Sequence, residues 1–218
     1  MDAALPSGAT SHDFFRRARA RLTLDVPTAL DDPTVEATRG DLDLDPAMWE
    51  QAGVKATRPA AVLVPVVDRS EPTVLLTLRT ELPSHPGQIA FPGGKIEPQD
   101  RTPADAALRE AAEEIGLARA LIEPIGYLDL YLTFSGFRIL PTVARVAPDY
   151  KLVLSEREVA DAFEVPLTFL MDAQNHALHS RDWKGVTRRY YAMPFGERYI
   201  WGVTAGILRN LYERIYEG

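Results

Sequence analysis

The stretch GGKIEPQDRTPADAALREAAEEIGL, residues 93–117, decides how this chain folds. Thr102 is a natural N-cap, Pro103 suits the first helical position, and Asp105 stands where a capping-box acid would sit. Gly116 suits the left-handed position that ends a helix, with apolar Leu117 after it. The pattern predicts a helix over Pro103–Ile115. On that helix Ala104, Ala107, Leu108, Ala111, Ala112 and Ile115 form a stripe able to pack on a sheet. Glu110, Glu113 and Glu114 stand at i, i+3 and i+4 and share a face.

Carboxylates so spaced disfavour an isolated helix by about a few tenths of a kcal/mol per pair, and Arg109 offsets only part of that. A hard divalent cation resolves the conflict, because Mg²⁺ takes oxygen ligands from a few carboxylates together with substrate phosphates. Without such an ion the three should titrate as a coupled set, with at least one pKa pushed up. A solvated acidic helix face is the plain alternative. Upstream, Phe91-Pro92-Gly93-Gly94-Lys95 ends an apolar stretch with two residues that allow close ligand approach. The Gly93 carbonyl is thus a further candidate oxygen ligand. The spacing of a phosphate-binding P-loop is missing.

Strand signals at AAVLVPVV (60–67) and TVLLTLR (73–79) flank the turn-like DRSEP and predict a hairpin leading toward the glycines. PIGYLDLYLTF (124–134) and RILPTVARV (138–146), around Ser135-Gly136-Phe137, predict another, with Tyr127, Tyr131, Phe134 and Phe137 read as core aromatics. Residues 11–22 carry Phe14, Phe15, Ala18 and Leu22 at helical spacing, before an acidic connector rich in turn residues. In the last third, the acidic SEREVADAFEVPLTFL and a polar loop precede VTRRYYAMPF, read as a strand. A closing helix is marked by Val203, Ile207, Leu208, Leu211 and Ile215. With no internal repeat and no low-complexity linker, the pattern predicts one α+β domain.

A net charge of -7, from 24 basic and 31 acidic residues, argues against broad nucleic-acid binding and leaves room for a nucleotide-sized ligand. The absence of cysteine excludes disulfides, a thiol nucleophile and Cys-ligated zinc, and suits a reducing, cytoplasmic compartment. The first thirty residues hold no apolar stretch of signal-peptide length, and no run of roughly 18 apolar residues occurs, so no membrane association is expected. His176 and His179 lack the companion ligands zinc needs. No G-x-S-x-G elbow occurs, so water is the expected nucleophile.

Read together, Arg109-Glu110-Ala111-Ala112-Glu113-Glu114-Ile115-Gly116-Leu117 resembles the second half of the Nudix box, G-x5-E-x7-R-E-U-x-E-E-x-G-U, of the Nudix hydrolase superfamily. Ala111 is smaller than the usual bulky U. Upstream, Gly94 is followed after five residues by Asp100 in place of glutamate, and eight residues rather than seven separate Asp100 from Arg109. The segment LLTLRTELPSHPGQIAFPGG (75–94) resembles the motif preceding the box in coenzyme A pyrophosphatases, with Thr80 in place of serine. Residues 158–170 and 199–211 also look like later segments of that subfamily. The resemblance spans roughly residues 58–212. It implies a Nudix α/β/α sandwich with a mixed sheet between helices, in a domain of residues 58–218 preceded by an N-terminal extension, 1–57, of short helix and connector.

The resemblance further implies hydrolysis of the diphosphate of coenzyme A, or a derivative, to 3',5'-ADP and 4'-phosphopantetheine with Mg²⁺ or Mn²⁺. Glu110, Glu113, Glu114 and the Gly93 carbonyl are the expected metal ligands. Either Glu110 or a later glutamate, Glu158 before Glu156, positions or deprotonates the water. Arg109 is expected to order the loop and helix through a carboxylate. Arg79, Lys95 and His85 are candidates for contact with substrate, set against plain surface or loop roles. A diphosphatase acting on ADP-ribose or another nucleoside diphosphate derivative, and a non-catalytic nucleotide-binding module, are the alternatives. Oligomeric state, including a homodimer, is left open.

Overall fold

A computed structural model describes residues 10–35, 39–41, 43–44, 57–80, 87–183 and 186–217. The chain opens with helix α1 (Ser11–Arg21), capped by the Thr10 side chain on the Asp13 N–H. Strands β1 (Arg39–Gly40), β2 (Arg58–Val67), β3 (Thr73–Arg79), β4 (Ile89–Ala90) and β5 (Gly93–Lys95) lead to α2 (Pro103–Ile115). Then come β6 (Ile122–Tyr127), β7 (Tyr131–Leu132), β8 (Phe137–Val146), β9 (Val159–Pro166) and a single helical turn, α3 (Leu167–Leu170). Strands β10 (Ala177–Trp183), β11 (Val186–Phe195) and β12 (Arg198–Trp201) precede α4 (Val203–Tyr212), which runs into a π-helical turn, Glu213–Glu217.

The backbone of the fold is a parallel pair, β2 with β8, in register from Arg58 opposite Phe137 to Val67 opposite Val146. Around it the main sheet is mixed: β1 runs parallel to β7, and the remaining pairs are antiparallel. β2 serves both faces by strict alternation. Ala61, Leu63 and Val67 meet Ala106, Ala107, Leu108, Ala111 and Ile115 of α2, whereas Val64 and Val66 meet Phe14, Ile207, Leu208 and Leu211 of α1 and α4. Helices therefore cover the sheet on both sides, the sandwich expected from the motif. β10, β11 and β12 form a separate antiparallel sheet, tied to the core through Met193 and Ile200.

The expected hairpin at residues 68–72 is present, yet β2 and β3 pair only at Val66–Val74 and Val67–Thr73. Beyond that the strands separate. β5 takes the place beside β2, with Val62 opposite Gly93, while β3 pairs with β4 and along β9. The glycines and the end of β3 thus line the same opening in the sheet. In the second hairpin β6 and β7 both pair with β8, and Gly136 turns the chain at φ 87°. Tyr127 and Tyr131 are core residues as expected. Phe134 and Phe137 are only partly buried and carry the guanidinium groups of Arg188 and Arg58 on their rings.

Three local expectations are corrected. Asp105 does not close a capping box: its N–H donates to Thr102 Oγ1 at 3.0 Å, but its carboxylate pairs with Arg119. Ala112 is exposed, and Ala106 takes its place in the packed stripe. The polar segment after Asp172 contains β10, a strand hidden by its surface position, where even Leu178 is 51% exposed. No helix among the described residues is long and apolar enough to cross a membrane.

Two tests follow from this packing. Phe14 is fully buried in the core beside α4, so Phe14→Ala should cost about 3–5 kcal/mol in urea unfolding. Glu164 accepts from Arg69 at 2.8 and 3.0 Å, from Thr73 Oγ1, and from Tyr150 O–H at 2.6 Å. The Arg69 guanidinium leads these partners in lowering its pKa from 4.5 to about 2. A depressed folded pKa stabilises above the unfolded value, so this contribution is complete above pH 4.5 and disappears as pH falls toward 2. Unfolding of Glu164→Gln against wild type should show a deficit of about 1–2 kcal/mol at pH 7 that closes over that window.

Candidate active site

Small residues set the position of α2. Ala106, Ala107 and Ala111 are fully buried against the sheet, and Thr102 and Gly116 (φ 66°) stop the helix at the two ends the sequence marks. Because the helix lies so close, its three glutamates do not share one environment. Glu114 is 4% exposed and its Oε2 accepts the Gly93 N–H at 3.2 Å. The side chain of Glu110 is 16% exposed, and that of Glu113 is 61% exposed. A uniformly solvated acidic face is therefore excluded. The glycines admit this arrangement: a Cβ on Gly93 would fall 2.5 Å from the Ala61 carbonyl oxygen, and one on Gly94 would fall 2.4 Å from Glu110 Oε1.

Arg109 organises the acidic groups. Its Nε and Nη2 donate to the two Asp100 carboxylate oxygens, each at 3.0 Å, in the bidentate geometry that suits guanidinium. Nη2 also donates to the Lys95 carbonyl at 3.1 Å, and Nη1 to Glu110 at 2.9 Å and Glu113 at 3.3 Å. Asp100 is held by its own turn, where its Oδ2 accepts from the Glu97 N–H at 2.8 Å and its N–H donates to the Glu97 carbonyl at 2.9 Å. Although eight residues rather than seven separate Asp100 from Arg109, the aspartate so held still reaches the arginine. Sequence spacing alone left that role undecided.

Burial pushes the Glu114 carboxyl up to about 7, with Glu110 and Glu158 adding to the rise and the Gly93 N–H and Arg79 opposing it. Burial also raises Glu110, opposed by Arg109 and reinforced by Glu113 and Glu158. The upward shift expected of a coupled acidic set is present, but desolvation outweighs mutual repulsion as its cause.

The remaining candidates divide by location. Arg79 stands at the end of β3, after a bulge between Leu78 and Arg79, and its Nη1 lies 3.9 Å from Glu114 Oε1. A bulge re-aims the side chain that follows it. Glu158 is exposed in the turn before β9 and acts electrostatically on both Glu110 and Glu114. Glu156 is exposed in the same turn. Lys95 is exposed, and only its carbonyl joins the Arg109 cluster. His85 lies outside the described residues. His176 and His179 bond elsewhere and separately: His176 Nε2 to the Leu170 carbonyl at 2.7 Å, His179 Nδ1 to Tyr199 Oη at 2.6 Å.

Among the described residues no three His, Asp or Glu side chains converge on a ready-made cation cage. The donor chemistry nonetheless fits a hard divalent cation: all-oxygen groups, one of them a buried carboxyl whose ionisation an adjacent cation would favour. Two of the three carboxylates are engaged by Arg109, which holds them near one another.

The Asp100–Arg109 pair is largely shielded from water, with side chains 4% and 18% exposed, so it should be sensitive to substitution. Arg109→Lys loses the bidentate bond while keeping the charge, and is expected to cost about 1–3 kcal/mol of stability by thermal unfolding. Gly94→Ala should displace Glu110, lowering turnover while circular dichroism stays that of wild type.

Residues 57–184 match the NUDIX domain family. The uncharacterized Nudix hydrolase NudL of Yersinia enterocolitica is 40% identical over 157 residues, covering 72% of this chain and 80% of that protein. Its counterpart in Yersinia pestis (strain Pestoides F) is 38% identical over 161 residues, with the same coverage of 72% and 80%. A solved NUDIX hydrolase from Alicyclobacillus acidocaldarius superposes with a TM-score of 0.49 at 20% identity, over 75% of this chain and 95% of that one. The chain belongs to the Nudix hydrolase family and is a pyrophosphohydrolase of that family.

Proposed function

We propose that the protein hydrolyses the diphosphate of coenzyme A or a derivative, releasing 3',5'-ADP and 4'-phosphopantetheine, with Mg²⁺ or Mn²⁺ as cofactor. The observation that carries this reading is the position of Arg79. It comes from LLTLRTELPSHPGQIAFPGG, the segment resembling coenzyme A pyrophosphatases, and stands 3.9 Å from buried Glu114. A guanidinium there can meet a phosphate while the carboxylates beside it face a cation.

Glu110, Glu113, Glu114 and the Gly93 carbonyl are the proposed cation ligands. When bound, a divalent cation neutralises the diphosphate and lowers the pKa of coordinated water. Glu158, or Glu110, orients the attacking water and accepts its proton. Arg109 keeps Glu110 and Glu113 in place through its anchor on Asp100. Arg79, Lys95 and His85 are the proposed contacts for substrate phosphates. The catalytic unit is taken as residues 58–218, with 1–57 as an extension, and a chain without cysteine suits the cytoplasm.

Incubation with coenzyme A and Mg²⁺, followed by mass spectrometry, should show 3',5'-ADP and 4'-phosphopantetheine. Cleavage of ADP-ribose or another dinucleotide without cleavage of any coenzyme A species would move the assignment to a general Nudix diphosphatase. Glu113→Gln and Glu114→Gln should each lower kcat on the order of a thousandfold with the fold retained. Crystals soaked in Mn²⁺ should give an anomalous peak beside Glu114, and the Glu114→Gln protein should lose it.

A further inference from the structure

Thr80 follows Arg79 at the end of β3 and grips the turn that carries Glu158. Its N–H donates to the Glu158 carbonyl at 3.0 Å, and its Oγ1 donates to the preceding carbonyl, that of Arg157, at 2.9 Å. The other end of the turn is tied to α2. The Ser155 N–H donates to the Glu114 carbonyl at 2.8 Å, and the Ser155 carbonyl accepts from both the Glu158 and Val159 N–H groups at 2.9 Å. Two residues earlier, the Val153 N–H donates to the Ile115 carbonyl at 2.9 Å. Val153 also packs so closely on Gly116 that a Cβ there would lie 2.9 Å from its backbone nitrogen.

The segment 153–158 is thus strung between the helix end that bears Glu114 and the strand end that bears Arg79. Packing does not hold its tip, because Glu156, Arg157 and Glu158 are all exposed. An exposed turn with few buried contacts depends on its hydrogen bonds for a fixed shape. Thr80 supplies two of them, to consecutive carbonyls, from one side chain and its own backbone. A valine at this position would keep the N–H and the branched shape while removing only the Oγ1 donor.

We propose that Thr80 is a positioning residue for the reaction, its two hydrogen bonds holding in shape the turn that carries Glu158 and is tied at its other end to the Glu114 carbonyl. This rests on the assignment of Glu158 to the attacking water made above. Displacing such a group by about 1 Å can cost up to about a hundredfold in rate.

The test uses the full chain as Thr80→Val, Thr80→Ser, Glu158→Gln and the Thr80→Val/Glu158→Gln double variant. Kinetics are measured on coenzyme A with Mg²⁺, or on ADP-ribose if coenzyme A is not cut. Thr80→Val is expected to lower kcat about tenfold with KM within about twofold, and to speed amide hydrogen exchange in residues 155–160 but not in α2. Thr80→Ser, which keeps the donor, should restore both. The double variant should be no slower than Glu158→Gln alone, because both changes disable the same group. A normal kcat in Thr80→Val, or a loss that adds in full to that of Glu158→Gln, would overturn the proposal. Unimpaired turnover in Glu158→Gln would instead overturn the assignment of Glu158 beneath it.

Discussion

The close approach of α2 to the sheet governs the rest of the site. Alanines at 106, 107 and 111 leave no bulk between helix and strands, so the turn bearing Glu114 lies against β5 and its carboxylate enters the seam. There the Gly93 N–H meets it, and water is largely excluded. A buried carboxylate is costly to ionise without a nearby positive charge, which explains why burial dominates its raised pKa. The same closeness that stabilises the core therefore leaves Glu114 poised to respond to a cation or to Arg79.

The separation of β2 from β3 provides the opening in which these groups meet. Had the two strands stayed paired beyond Val66, β5 could not lie against Ala60, Ala61 and Val62, and the glycines would be remote from Glu110 and Glu114. β3 instead continues along β9, and its bulge delivers Arg79 to the helix end. The loop from Glu97 to Asp100 closes the arrangement from below through Arg109. Elements distant in sequence thus converge on one site, and Arg109 balances part of the negative charge they bring together.

Much of this was legible in the chain because it is local. Thr102, Pro103 and Gly116 act within a few residues of the helix ends they define, and Phe14, Phe15 and Ala18 repeat with the helical period. The family signature at residues 109–117 pointed to the helix that carries Glu110, Glu113 and Glu114. Features that depend on what lies across the sheet were not legible. Ala106 and Ala112 differ in burial only because of where the sheet is, and β10 escaped notice because its exposed surface imposes no hydrophobic alternation. Asp100 stands one residue off the family spacing, and only the folded loop shows that its carboxylate meets Arg109.

By itself the sequence determined the length and ends of α2, the grouping of Glu110, Glu113 and Glu114 on it, and the membership of the chain in its family. Those follow from backbone preferences and residue order, which act over one or two turns of helix. Tertiary structure alone decided that the three glutamates occupy different environments, that Asp100 anchors Arg109, and that Arg79 and the Glu158 turn come to the same helix end. Desolvation and hydrogen bonding depend on which atoms become neighbours, and only the closed sheet and its packed helices settle that.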